Sequence, residues 1–149
     1  MLPPSLMNMK DKNNKKIFFC GLGEQPSAYK LLSKYLNIIS IDWNKIRLPK
    51  FKVNTAVGFS MGAILACEYA LKRKVKNLIL CSMTTGVETL NKVKADNIIF
   101  IVGEKEKWVQ KDTERLTRDL KNTWQIIVVP KAGHKIDRNY TKLLLATLI

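Results

Sequence analysis

No apolar run in the chain reaches the ~18 residues a membrane-crossing helix needs, so the sequence predicts no membrane span. The N-terminus also lacks the order of a signal peptide. Its apolar residues, Leu2 to Met7, precede the lysines Lys10 to Lys16, whereas a signal peptide places its charge first. Histidine occurs once and cysteine three times, at Cys20, Cys67 and Cys81, with no C-x-x-C spacing. That leaves no ligand cluster, and no metal is expected. An odd number of thiols set in apolar runs predicts buried, reduced cysteines and a cytoplasmic protein. Acidic residues are scarce, 12 against 26 basic ones, for a net charge of +14. Yet there is no arginine-rich helix and no aromatic-basic stripe. The excess is lysine (21 Lys, 5 Arg) spread along the whole chain, which reads as a solvated surface and disfavours a nucleic-acid partner.

What is present fits one folded unit. The 149 residues are 46% hydrophobic, enough for one core and too few for two domains. Residues 1–15 read as a poorly ordered leader and 16–149 as a single domain. Short β-branched runs alternate with helical spacing, the pattern of a parallel sheet with crossover helices, an α/β fold. The strands are expected at 16–20, 37–41, 55–58, 77–81, 97–102 and 124–129. Helices are expected at 26–36, where Pro26 suits a first turn and Ala28, Leu31, Leu32, Tyr35 and Leu36 share a face, and then at 61–73, 107–120 and 136–148. The strands are apolar on both faces, as when helices cover both sides of a sheet.

Gly58-Phe59-Ser60-Met61-Gly62 matches G-x-S-x-G. A strand that turns sharply into a helix presents a serine at the apex, with glycines leaving room on either side. A bare match is weak, since at average composition roughly one random chain in twenty of this length contains it. Here it follows a predicted strand and opens a predicted helix, which favours a nucleophile over a glycine-flanked turn. The lone His134 follows the last strand, at the edge where parallel sheets gather reactive groups, and imidazole has the near-neutral pKa a serine's base requires. Glu106, after the fifth strand, is the chosen orienting acid. Glu104 is its rival, Asp112 and Asp137 more distant ones, and an acidic residue at a helix start also has a plain dipole explanation. The oxyanion donors would be the N–H of Met61 and one from Gly21-Leu22-Gly23, chosen as Leu22. Those glycines lack the third one of a dinucleotide fingerprint, and no Gly-Lys-Ser/Thr follows, so no cofactor is expected.

With these residues in hand, the chain from 17 to about 148 resembles the α/β-hydrolase superfamily. The resemblance rests on Gly21-Leu22-Gly23, the elbow at 58–62, Gly103-Glu104-Lys105-Glu106 and Gly133-His134. It implies a three-layer α/β/α sandwich with about six parallel strands in the order 2-1-3-4-5-6, a minimal core without the family's two earlier strands. Cys20-Gly21 stands where many members have His-Gly, and Glu106 where the acid is often aspartate. The stretch where relatives insert a lid is only Ser82 to Asp96, which implies an open site. The expected activity is hydrolysis of a small-molecule carboxylic ester or thioester through an acyl-enzyme, with Thr84, Thr85, Trp43 and Trp108 as candidate pocket residues. The alternatives are a catalytically inactive relative that keeps the fold as a binding surface, and a small serine peptidase. Acyl specificity and oligomeric state stay open.

Overall fold

The computed structural model describes residues 15–83 and 90–148. Thr84 and Thr85, and the expected leader apart from Lys15, lie outside the described residues. Six strands, β1 Lys16–Phe19, β2 Asn37–Ile39, β3 Thr55–Phe59, β4 Val75–Cys81, β5 Ala95–Gly103 and β6 Thr123–Val129, form one sheet in the order β2-β1-β3-β4-β5-β6. Every neighbouring pair is parallel. The α-helices are α1 Met61–Lys72, α2 Lys107–Thr117 and α3 Arg138–Leu148.

The sheet has a core on each face, as its two-sided apolar strands require. On one side Ala63, Ala66, Cys67 and Ala70 of α1 pack with Ile17, Phe19, Leu78 and Leu80, and Leu116 of α2 packs against the same cluster. On the other, Tyr140, Leu144 and Leu148 of α3 join Phe18, Val57, Ile79 and Ile101. Small residues line α1, so it lies close to the strands beneath it. The result is a three-layer α/β/α architecture.

The segment between β1 and β2 differs from expectation. Instead of one α-helix it forms two 3₁₀ turns, Pro26–Tyr29 and Leu32–Lys34. The buried set is Tyr29, Leu32, Tyr35 and Leu36, while Leu31 is exposed. That set recurs near every third residue, which suits a 3₁₀ turn. Ser33 Oγ donates to Lys30 O at 2.7 Å, a local bond that competes with the α-helical ladder. The fourth strand begins at Val75, two residues earlier than expected, and β2 is only three residues long.

Among the described residues, no helix is long and apolar enough to cross a membrane.

Candidate active site

The site lies where β3, β4 and β5 end. At the end of β3 the chain bends at Ser60, which has φ 58° and ψ −120° and caps α1. A positive φ is costly for a residue with a Cβ, and the surroundings hold it there. Ser60 N–H donates to Cys81 O at 2.9 Å, and Ala63 N–H to Ser60 O at 3.1 Å. The flanking glycines are required by contact. A Cβ on Gly62 would lie 2.2 Å from Phe19 O and 2.5 Å from Cys20 O, and one on Gly58 would lie 2.2 Å from Gly62 O. The helix start is thus pressed against the ends of β1 and β3, and only glycine permits the approach.

His134 reaches back from the loop after β6. Its Nε2 is 3.0 Å from Ser60 Oγ and its Nδ1 is 2.6 Å from Glu106 Oε2. A carboxylate only accepts hydrogen bonds, so the proton belongs on Nδ1 and Nε2 is left to accept from the serine. The ring lies against Phe59, centroids 5.1 Å apart, and Phe59 in turn meets Tyr140 edge-on at 6.2 Å. The imidazole therefore has a carboxylate at one nitrogen, a hydroxyl at the other and an aromatic wall. Its side chain is 42% exposed, whereas that of Glu106 is 4% exposed.

The carboxylate candidates separate clearly. Glu106 opens α2, and its other oxygen, Oε1, accepts from Ser82 Oγ at 2.5 Å and from Gly103 N at 2.9 Å. Glu104 lies exposed and accepts from Lys131 N at 2.9 Å. Asp112 is 3.8 Å from Arg115 one turn along α2, and Asp137 accepts from Tyr140 N at 2.9 Å at the start of α3. Of the four, only Glu106 meets the histidine.

Met61 is the first residue of α1, so its N–H is among the first-turn donors with no intrahelical acceptor. Leu22, 62% exposed, occupies the turn from Gly21 to Glu24, closed by Glu24 N–H to Gly21 O at 3.1 Å. Glu24 Oε1 also accepts from Gly21 N at 2.7 Å, which fixes the turn and consumes that donor. Since Phe19 pairs with Gly58, the turn follows β1 on the same edge from which Ser60 projects.

Sequence reasoning missed Ser82, which contacts the acid directly. Of the other pocket candidates, Trp43 packs against the core cluster that includes α1 residues, and Trp108 is 82% exposed beneath Lys111. Two cavities open elsewhere: one of about 590 Å³ lies between Ile46–Lys50 and the flank of α1, and one of about 420 Å³ lies at the opposite edge of the sheet among Lys15, Lys52, Lys74 and Lys76.

The thiols are unsuited to compete as nucleophiles. Burial, with a smaller contribution from the Glu24 charge, pushes Cys20 up to about 11. Burial likewise pushes Cys67 up to about 12. Among the described residues no group of three or more His, Cys, Asp or Glu side chains is placed to hold a metal ion.

Comparison with known proteins gives a likeness of fold. No family model matches the chain, and no curated protein matches its sequence. Among solved structures, an uncharacterized protein from Bacillus cereus ATCC 10987 superposes with a TM-score of 0.62 at 16% identity, over 90% of this chain and 59% of that one. A dienelactone hydrolase-like promiscuous phosphotriesterase from metagenomic libraries matches with a TM-score of 0.48 at 14% identity, over 70% of this chain and 53% of that one. The chain thus spans less than two thirds of the length of either. At these identities the first comparison establishes the α/β fold and goes no further.

Proposed function

We propose that the protein is a serine hydrolase of the α/β-hydrolase type, cleaving a carboxylic ester or thioester through an acyl-enzyme. The observation that carries this reading is the unbroken run of hydrogen bonds from Ser60 Oγ through His134 to Glu106, set on a serine with an elbow backbone. Nucleophile, base and orienting acid are each within bonding reach of the next, the geometric requirement for such chemistry.

In the first half-reaction Ser60 Oγ attacks the acyl carbon as its proton passes to His134 Nε2. Glu106 accepts from Nδ1–H and stabilises the imidazolium without itself taking the proton. The acyl oxygen becomes an oxyanion, for which the N–H groups of Met61 and Leu22 are the proposed donors. The C–O or C–S bond then breaks, the leaving group takes the proton from Nε2, and the acyl group stays on Ser60. In the second half-reaction a water molecule loses a proton to Nε2, attacks the acyl carbon and releases the acid, and the proton returns to Ser60.

The test is turnover of a panel of p-nitrophenyl esters and acyl thioesters of graded chain length. Wild type should turn over members of the panel, and Ser60→Ala should lower kcat by about 10⁴-fold or more, as removal of such a nucleophile does. Equal turnover by the two proteins would refute the proposal.

A further inference from the structure

Beneath the acid lies a set of buried hydroxyl groups that the proposed reaction never touches. Ser82 directly follows β4, the strand between the one that delivers Ser60 and the one that leads to Glu106. It is fully buried and has φ 48°, a backbone region costly for serine. Its N–H is held by Ile101 O at 2.7 Å. Its Oγ lies 2.5 Å from Glu106 Oε1 and 2.8 Å from Tyr140 Oη. Tyr140, on α3, is fully buried as well, and its Oη donates to Ile101 O at 2.8 Å.

The proton count fixes the direction of these bonds. A carboxylate can only accept, so the one Ser82 hydroxyl proton goes to Glu106 Oε1. Tyr140 has a single proton as well, shared between Ile101 O and Ser82 Oγ. Glu106 Oε1 then has two neutral donors, Ser82 and Gly103 N–H, which leaves Oε2 turned to His134. Among the described residues the one ion-pair partner of this buried carboxylate is His134. Its anionic form depends on these hydroxyl and amide donors and on the imidazole.

We propose that Ser82 and Tyr140 are positioning residues of the active site: Ser82 holds Glu106 in the orientation and ionised form that orients His134, and Tyr140 holds Ser82. The inference rests on the reading of Ser60 as a nucleophile. A purely structural serine has no need of a strained backbone at a fully buried position, whereas one that must aim its hydroxyl across the strand end at a carboxylate does. Among the described residues, the titratable groups facing Glu106 are His134 from the loop after β6, Cys81 from β4 and Tyr140 from α3. Burial drives the last two upward, so both stay protonated across the neutral range.

The experiment measures the second-order rate at which a fluorophosphonate probe labels Ser60, from pH 5 to pH 9, in wild type, Ser82→Ala, Ser82→Gly and Tyr140→Phe. Glycine accepts φ 48° without strain, so Ser82→Gly removes the hydroxyl while keeping the backbone and guards against misfolding of the alanine variant. Both Ser82 variants should label about 10- to 100-fold more slowly, the range found for outer hydrogen-bond partners of metal-site ligands. Their acid limb should move to higher pH, because loss of the donor raises the proton affinity of the Glu106–His134 pair. Tyr140→Phe should shift the limb in the same direction by less. Unchanged rates and an unchanged acid limb in both Ser82 variants, with wild type labelled, would overturn this inference alone. An unlabelled wild type would overturn the proposed function and this inference with it.

Discussion

Glu106 turns inward to His134, Ser82 and Gly103, whereas Glu104, two residues earlier, lies exposed against the Lys131 backbone. The two carboxylates should therefore respond differently to the same change. Glu106→Gln puts an amide where two donors and an imidazole N–H converge, and kcat should fall by about 10⁴-fold, as when the acid of such a triad is neutralised. Glu104→Gln keeps a carbonyl oxygen for Lys131 N–H and should leave kcat nearly unchanged. Steady-state kinetics on one ester substrate distinguishes them, and equal losses in both would remove Glu106 from the role. The cysteines supply a second expectation at this scale. With Cys20 and Cys67 pushed up to about 11 and 12, and Cys81 raised by complete burial, the thiolate is scarce at pH 8. Iodoacetamide at that pH should leave the native protein unmodified and alkylate all three after denaturation, read by intact mass.

At the scale of elements, the elbow couples the site to the sheet. Gly62→Ala would press a Cβ into the Phe19 and Cys20 carbonyl oxygens, backbone atoms that cannot rotate away. The start of α1 must then move, at a cost of about 1–3 kcal/mol or more. A fall in melting temperature of about 2–4 °C per kcal/mol is expected at this chain length, accompanied by loss of activity because Ser60 moves with the helix. An unchanged melting temperature would contradict the close approach. Strand identity and order were legible because they follow from apolar runs separated by turn residues, and from the resemblance built on the motifs at strand ends. The gathering of Ser60, His134 and Glu106 at one edge of the sheet was legible for the same reason: each sits just past a strand. The 3₁₀ turns at Pro26–Tyr29 and Leu32–Lys34 were not. Helical and 3₁₀ spacing are nearly the same over so short a segment, and the competing Ser33 bond is local. Ser82 was also missed, because no motif surrounds it. Its signal lay in the topology, since the residue after β4 must fall between those after β3 and β5.

For the whole molecule the open question is the charge. A net +14 raises the local concentration of anionic substrates only if it is organised around the site. The lysines are spread along the chain, and a cavity lined by Lys15, Lys52, Lys74 and Lys76 lies at the edge of the sheet opposite Ser60. The expectation is that kcat/KM for an anionic thioester and for a neutral ester of the same acyl group depend on salt in parallel. The comparison runs between 0.1 M and 1 M, over which the screening length falls from about 10 Å to about 3 Å. A steeper fall for the anionic substrate would assign the charge to steering. Whether Ser60 is a nucleophile activated by His134 is read by intact-mass and peptide mapping after fluorophosphonate treatment. A single adduct on Ser60 is expected in wild type, none in Ser60→Ala, and labelling slowed by orders of magnitude in His134→Ala. An unlabelled wild type, an adduct at another residue, or equal labelling of wild type and His134→Ala would contradict it.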